Sequence, residues 1–257
     1  MTEETGLYNS VAPLRNVAGL VSLIDRVQKR GQGLPGLATF YGPSGFGKST
    51  AAIYAANRFQ AYSVQVKSTW RTKKFCEAIL EDLSIKPAKT AADMVDQISE
   101  RLLKSGRPLL IDEADFLVAR GLIEIVRDIY ESSGATIILI GEELLPQKLQ
   151  QWERVHGRML DWVAAQPGEL ADVGHLAPIY CAGIEVAEDL RVQVLKESRG
   201  SIRRICINLD GVREFATVRG LNRVSLADCA EAKFFTGAAP EARRNLIDLP
   251  IGRRAAA

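Results

Sequence analysis

The sequence has few of the residues that hold small domains together through metals or disulfides. It contains four cysteines and two histidines in 257 residues, and no two cysteines lie within a few positions of each other. A zinc ribbon or a CxxC redox pair therefore cannot form locally. Each cysteine lies among apolar residues, which predicts small, buried, reduced side chains. These cysteines are Cys76, Cys181, Cys206 and Cys229.

The sequence also lacks an excess of charge and long apolar runs. Lys and Arg number 33 against 31 Asp and Glu, which excludes a globally basic, histone-like binder but leaves room for a local basic patch. No apolar run approaches the roughly 20 residues that a membrane-spanning helix needs. The N-terminus, MTEETGLYNS, has no basic region followed by an apolar stretch, so it does not read as a secretory signal. We expect a cytoplasmic protein that does not contact a membrane.

What the sequence does contain is an alternation of short apolar strands with amphipathic helices. This pattern predicts an α/β fold, a parallel sheet flanked by helices. After about residue 180 the pattern changes to helices with no clear strand between them, which predicts a small C-terminal helical domain. The predicted strands are residues 37–41, 61–66, 108–111 and 136–140, and the predicted late helices are 186–198, 202–216 and 225–234.

The same change of pattern gives the predicted domains. We expect an α/β domain at residues 1–182, a helical lid domain at 183–237 with the boundary near Gly183, and a weakly ordered tail at 238–257.

A glycine-rich segment follows the first predicted strand. Residues Gly42–Thr50 read GPSGFGKST and fit the pattern G-x-x-x-x-G-K-[ST]. Glycines let successive backbone N–H groups surround phosphates, and the helix that follows directs its positive end at the anion. The pattern predicts binding of ATP with Mg²⁺, in which Lys48 contacts the β and γ phosphates and Ser49 supplies a hydroxyl to the metal. The predicted nucleotide-binding residues are Gly42, Pro43, Ser44, Gly45, Phe46, Gly47, Lys48, Ser49 and Thr50.

An acidic pair follows the third predicted strand, in the segment LLIDEAD at residues 109–115. Asp112 at the tip of the strand is suited to hold a magnesium-bound water, and Glu113 is suited to orient and deprotonate the attacking water. The alternative is that the pair only caps a strand or opens the next helix. Downstream of the glycine-rich segment, the catalytic interpretation is favoured.

These motifs, taken in order, resemble the AAA+ ATPases. The chain has a P-loop, an IDEAD strand, a strand ending in LIG, an arginine at position 158 and a late GSIRR. The segments LLIDEADFL and IILIGEELLPQKLQQ look most like the phage Mu B-type and transposon target-selection branch, which is related to ExeA-like and origin-recognition ATPases. The resemblance covers roughly residues 15–217 and implies a P-loop NTPase (AAA+) sheet with a helical lid.

The resemblance also implies roles for single residues. A polar sensor of the γ-phosphate ends the strand after the acidic pair, where this chain has Glu142, an acid in place of the usual Asn, Thr or Ser. An arginine finger that reaches a neighbour's nucleotide is expected at Arg158, with Arg154 as the second choice. The lid sensor is expected at Arg203, with Arg204 as the alternative. A finger acting in trans implies self-association into a ring or a helical filament.

A basic segment lies between the second predicted strand and the next helix. Residues 67–74 read KSTWRTKK, with four cations and no acid. Cations, hydroxyls and a helix N-terminus are what phosphate contacts require, and the resemblance places this region at the central channel of an oligomer. The alternative is a solvated start of a helix. The predicted DNA-binding residues are Lys67, Arg71, Lys73 and Lys74.

Basic residues elsewhere are weaker candidates for DNA contacts. Arg120 is a second candidate for the channel. The tail contains Arg243, Arg244, Arg253 and Arg254, for which a solubilising role is favoured over contact with DNA or a transposase. About 36 residues precede the first predicted strand, which is too few for the additional N-terminal DNA-binding domain of Mu B-type proteins.

The sequence thus predicts a bacterial or phage-encoded ATPase that binds double-stranded DNA with little sequence preference, selects target DNA and activates a transposase. Two alternatives stay open. One is an ExeA-like ATPase that drives a secretion or remodelling assembly. The other is an initiator-type DNA-binding switch, gated by nucleotide and with little turnover.

Overall fold

The computed structural model describes residues 14–229 and 234–239. The helices are α1 Arg15–Gln28, α2 Lys48–Phe59, α3 Thr72–Asp82, α4 Ala91–Ser105, α5 Asp115–Ala119, α6 Ile123–Ser133, α7 Leu145–Gln150, α8 Glu153–His156, α9 Leu170–Tyr180, α10 Glu188–Ser198 and α11 Ile202–Arg219. The strands are β1 Leu37–Tyr41, β2 Tyr62–Gln65, β3 Leu109–Asp112, β4 Ile137–Gly141, β5 Met159–Ala164, β6 Glu185–Val186 and β7 Arg223–Val224.

Five strands form one parallel sheet in the order β2-β3-β4-β1-β5. Side chains on the central strands alternate between two apolar cores, one on each face of the sheet, because successive strand residues point to opposite faces. In β4, for example, Ile138 and Ile140 pack with α1 and α2, while Ile137 and Leu139 pack with α3, α4 and α6. Both faces are therefore covered by helices, and the predicted α/β sheet is confirmed.

Parallel pairing places the carboxyl ends of all five strands at one edge of the sheet. The segments that follow β1, β3 and β4 consequently meet at this edge. This arrangement brings together motifs that are about 30 to 100 positions apart in the sequence. Ligands of open α/β sheets bind in the crevice outside the carboxyl ends of the strands. The sheet topology therefore predicts a binding site at this edge.

The helices α9, α10 and α11 pack together beyond β5. α9 contacts both α10 and α11. The boundary near Gly183 stays a prediction, and this packing favours a boundary between β5 and α9. The two-residue strands β6 and β7 pair in parallel beside these helices, where the sequence predicted no strand.

The helix predicted at 225–234 is wrong over residues 225–229, which form a turn. The backbone N–H and the hydroxyl of Ser225 both donate to Asp228 Oδ2, at 2.8 and 2.6 Å, and these bonds stabilise the turn. The rest of that prediction up to residue 233 lies outside the described residues. So do the tail from residue 240 onward and the tail arginines.

No helix within the described parts of the chain is both long and apolar enough to cross a lipid bilayer.

Candidate active site

The P-loop forms the turn from β1 into α2. Gly45 and Gly47 have φ values of 86° and 81°, a region that residues with a Cβ rarely adopt. Gly47 is the N-cap of α2, so the free N–H groups of the first helical turn face the carboxyl edge of the sheet. Lys48 Nζ donates to the carbonyl oxygens of Gly42 and Pro43, at 2.7 and 2.9 Å. The loop is thereby folded around the lysine ammonium group.

The acidic pair lies at the tip of β3. Asp112 is buried, and its Oδ1 accepts a hydrogen bond of 2.9 Å from the backbone N–H of Glu113. Glu113 has φ 57°, in the left-handed region. A non-glycine residue in that conformation costs on the order of 1–3 kcal/mol and persists only where the surrounding structure holds it. Such strain clusters at functional sites, and Glu113 lines the cleft that begins at the P-loop.

The electrostatics of the cleft couple Glu113 to Lys48. Burial, followed by the nearby carboxylates of Asp112, Asp115 and Glu142, raises the pKa of Glu113, while Lys48 opposes the shift. Burial lowers the pKa of Lys48, and the same three carboxylates together with Glu113 oppose that shift. One ammonium group therefore stands among several acids, an arrangement typical of sites whose charges are matched to a ligand.

The lid contacts the P-loop directly through the start of α11. The backbone N–H of Arg203 donates to the carbonyl oxygen of Gly45 at 3.0 Å, and its guanidinium group donates to Ser44 Oγ at 3.3 Å. A Cβ on Gly45 would lie 2.7 Å from Ser201 Oγ, so the two segments approach closely because Gly45 has no side chain. The segment GSIRR is thus positioned against the P-loop turn.

Of the two sensor candidates, only Arg203 faces this turn. Arg204 donates its backbone N–H to Ser201 Oγ at 3.4 Å, which caps α11. Its guanidinium group lies beside Gly237, where an added Cβ would come within 2.7 Å of three guanidinium atoms. Arg204 therefore turns away from the P-loop.

A cleft of about 680 Å³ joins these parts. It brings together most of the P-loop residues with Asp112, Glu113, Glu142 and Arg203, which the sequence singled out from four separate segments. The sequence analysis missed other residues of its wall, namely Gly141, Tyr180, Ile202, Cys206, Ile207 and Asp210. Three of these wall residues, Cys206, Ile207 and Asp210, follow Arg203 at helical spacings of three, four and seven, a signal that could have identified them.

Cys206 departs from the prediction made for the cysteines. Cys76, Cys181 and Cys229 are buried, as expected, whereas Cys206 is half-buried and lines the cleft. Burial raises the pKa of the Cys206 thiol, so the thiol form is favoured.

Comparisons with known proteins support the fold described above. A family model described as "AAA domain" matches residues 32–149, the segment from just before β1 into α7. The structure of the Aeropyrum pernix ORC2 protein in its ADP form superposes with a TM-score of 0.66 at 14% identity, covering 84% of this chain and 66% of that one. The chain has the P-loop AAA+ fold.

Two further solved structures share this AAA+ fold. The Aeropyrum pernix ORC1 protein in complex with DNA has a TM-score of 0.58 at 18% identity, over 84% of this chain and 64% of that one. The Thermotoga maritima RuvB Holliday junction branch migration motor has a TM-score of 0.57 at 20% identity, over 86% and 68%. This chain spans slightly less than two thirds of the length of the two origin-recognition proteins. No curated protein matches the sequence significantly.

Neither of the two candidate finger arginines is among the residues that line the cleft. Arg158 immediately precedes β5, at the amino edge of the sheet, and its carbonyl oxygen accepts from Leu37 N at 3.2 Å. Its guanidinium group is paired with Glu131. Arg154 lies on α8 and is exposed.

The basic segment lies at an edge of the AAA+ sheet, between the edge strand β2 and α3. All four of its cations are exposed, and within residues 14–229 and 234–239 none of them forms an ion pair. Trp70 packs partly against the core below, and its backbone N–H donates to the carbonyl oxygen of Lys67 at 3.0 Å. The tryptophan therefore anchors a surface loop whose charged ends remain in solvent. Arg120, at the C-terminal end of α5, is also exposed.

Proposed function

We propose that this protein is an ATPase that binds double-stranded DNA in its ATP-bound state. The observation that carries the proposal is the single cleft in which the P-loop lysine, a buried aspartate, a strained glutamate and a lid arginine meet. Each group fits one requirement of phosphoryl transfer. The lysine is suited to bind phosphate, the aspartate to bind the metal, the glutamate to orient water and the arginine to stabilise charge.

In this proposal the backbone N–H groups of the P-loop and of the first turn of α2 bind the phosphates, and Lys48 contacts the β and γ phosphates. Glu113 orients the attacking water and accepts its proton, and the raised pKa of this carboxyl is suited to that role. Arg203, held beside Ser44, approaches the same phosphates from the lid.

The residues fit a magnesium ion. Mg²⁺ binds through one or two side-chain oxygens together with substrate phosphates rather than in a protein cage. Asp112 and Ser49 both line the cleft, where they supply one carboxylate and one hydroxyl oxygen. Asp112 and Ser49 would hold the ion, which neutralises charge on the phosphates when it is bound.

DNA binding is supported by the exposed basic loop and by the fold. The Aeropyrum pernix ORC1 protein and the Drosophila ORC are described as bound to DNA, and RuvB as a Holliday junction motor. The four cations of the loop offer contacts to phosphates rather than to base edges, so we expect little sequence preference. A direct test measures the ATPase rate and images the particles with and without duplex DNA. Equal rates and no assembly on DNA would contradict the proposal.

Removing the four charges at Lys67, Arg71, Lys73 and Lys74 is expected to weaken duplex binding and to flatten its salt dependence. The logarithm of the binding constant falls with the logarithm of the salt concentration, and each lost phosphate contact reduces the magnitude of this slope by about 0.9. The loss of four contacts therefore reduces it by roughly 3 to 4. Filter binding at several salt concentrations measures both effects.

The matched control removes four cations that lie elsewhere and are ion-paired, namely Lys29, Lys104, Arg213 and Arg223. The net charge changes equally in the two variants, so a purely global electrostatic effect would lower the slope equally. Unchanged binding in the loop variant would rule out this surface.

A second copy of the chain would complete the site by contributing an arginine. Arg158→Ala is expected to leave ATP binding intact and to reduce concentration-dependent hydrolysis, by about a thousandfold if the finger acts as in tested enzymes. Arg154→Ala, which removes the second candidate, serves as the comparison. Normal turnover of Arg158→Ala with loss of turnover in Arg154→Ala would assign the finger to α8.

Because Arg158 is paired with Glu131 within the protomer, this ion pair must open for the arginine to act in trans. The pair is about half exposed, and exposed pairs contribute only about 0–1 kcal/mol. The pair is therefore a small obstacle to self-association into a ring or a filament.

We further propose a specific role for this ATPase. The form that is bound to ATP and DNA selects target DNA and activates a transposase, in the cytoplasm of a bacterium or an infected cell. Its support is the sequence of residues 109–117 and 137–151, which resembles transposon target-selection ATPases. The second candidate is an initiator-type switch with little turnover, which the structural similarity to origin-recognition proteins favours. Turnover on duplex DNA distinguishes them, since a switch hydrolyses slowly whether or not DNA is present.

A further inference from the structure

One buried carboxylate beside the active site has no role in the function proposed above. Asp115 is the first residue of α5, two positions after Glu113, and only 7% of its surface is exposed. Both of its oxygens are occupied. Oδ2 accepts the backbone N–H of Glu142 at 2.6 Å, and Oδ1 accepts Lys148 Nζ at 2.6 Å. Asp115 therefore joins the segment after β3 to the turn after β4 and to α7.

The approach of Asp115 to the tip of β4 is close. A Cβ on Gly141 would clash with Asp115 Oδ2, so the carboxylate occupies space that any other residue at 141 would fill. A second bond runs in parallel, because the backbone N–H of Ala114 donates to the carbonyl oxygen of Ile140 at 2.9 Å. The residues that flank the catalytic glutamate are thus fastened to the strand that carries Glu142.

The charge of Asp115 is compensated from one side. A buried carboxylate without a partner is strongly destabilising, whereas a buried pair with good geometry is tolerated. Lys148, on α7, supplies the positive charge, and the backbone N–H of Glu142 donates the second hydrogen bond to the carboxylate. The other charged groups that face Glu113 are Asp112, Glu142 and Lys48. Lys148 offsets Asp115 without entering the cleft, where Lys48 is expected to meet the nucleotide.

We propose that Asp115 and Lys148 are a positioning pair that holds the Glu142 turn against Glu113 and so sets the geometry of the γ-phosphate end of the cleft. Neither residue lines the cleft. This inference rests on the proposed ATPase function in one respect, because its kinetic test measures kcat for ATP hydrolysis. Its structural readout, the hydrogen bond to the Glu142 amide, is independent of activity.

The sharpest test compares a single variant with a double variant. Lys148→Met leaves a buried carboxylate without its cation, and we expect kcat for ATP hydrolysis to fall at least about tenfold while the nucleotide Kd stays within about twofold. Asp115→Asn combined with Lys148→Met removes both charges, and the asparagine oxygen still accepts the Glu142 N–H. This double variant is expected to recover to within about threefold of the wild type, so the second substitution repairs the first.

Lys104→Met is the matched control, because Lys104 forms an exposed ion pair with Glu100 on α4, and its kcat should equal that of the wild type. If Lys148→Met does not fold, Asp115→Asn alone carries the test. One amide cannot satisfy both partners, so kcat should fall and should rise again when Lys148→Met is added.

Three results would overturn the positioning role. They are a wild-type kcat in Lys148→Met, a double variant no faster than the single one, and a loss of kcat matched by an equal loss of nucleotide affinity. If the wild type does not hydrolyse ATP, the proposed function fails, and exchange of the Glu142 amide decides the positioning role. Protection in the wild type and the double variant with loss in Lys148→Met supports it, and equal protection in all three refutes it.

Discussion

Glu113→Gln is expected to bind ATP as the wild type does and to hydrolyse it at least about a hundredfold more slowly. General base catalysis contributes typically about 10²–10⁴ in rate, and glutamine has nearly the shape of glutamate but cannot accept the proton. The substitution leaves the P-loop contacts intact, so the ATP affinity should not fall. Single-turnover hydrolysis and equilibrium binding of a fluorescent nucleotide measure the two quantities separately.

The same variant should remain on duplex DNA in the presence of ATP, because the step that ends the ATP-bound state is removed. Glu143→Gln is the matched control, since Glu143 is an exposed glutamate next to Glu142 that does not line the cleft. If Glu113→Gln turned over at the wild-type rate, the base would be another group. If its DNA complexes decayed at the wild-type rate, hydrolysis would not control release.

The parts of the site that lie in one continuous segment could be predicted from the sequence. The P-loop needs glycines, a lysine and a hydroxyl at set positions within nine residues, and the acidic pair begins with the last residue of a buried strand. The central strands could be predicted for the same reason, because β1, β3 and β4 are short apolar runs buried on both faces. In each case the local sequence determines the local structure.

The elements that were missed depend on tertiary contacts. β5 is an edge strand whose six residues are all half-buried, so its sequence, MLDWVA, has neither a continuous apolar core nor a clean alternation. α9 contains Gly174 and Pro178, which disfavour helices by about 1 and 3 kcal/mol. A reciprocal capping box between Glu169 and Asp172, together with packing on α10 and α11, stabilises α9 against that cost.

The contacts between distant segments were also beyond prediction. The contact of Gly45 with Ser201, and that of Asp115 with the Glu142 amide, join positions that lie about 156 and 27 residues apart. Their sequences contain no pairing signal, because a buried aspartate and a surface aspartate look alike in a single sequence. They become visible once the parallel sheet brings the strand tips to one edge.

Lys48→Ala is expected to have the second large effect, a loss of ATP affinity of about a hundredfold or more together with loss of measurable hydrolysis. Hydrogen bonds to charged groups contribute about 1.5–3 kcal/mol each, and the ammonium group is expected to contact two phosphates. The variant also loses the two bonds from Lys48 Nζ that fold the loop, to the carbonyl oxygens of Gly42 and Pro43. Isothermal titration with ATP and Mg²⁺ measures the affinity.

Lys104→Ala is the control for Lys48→Ala, because it removes the same side chain from an exposed position on α4. Together with Glu113→Gln, Lys48→Ala separates binding from hydrolysis. Lys48→Ala should release DNA even when ATP is abundant, whereas Glu113→Gln should retain it. If both variants retained DNA equally, the basic loop would act without the nucleotide, and the cleft and the DNA surface would be independent features of the same domain.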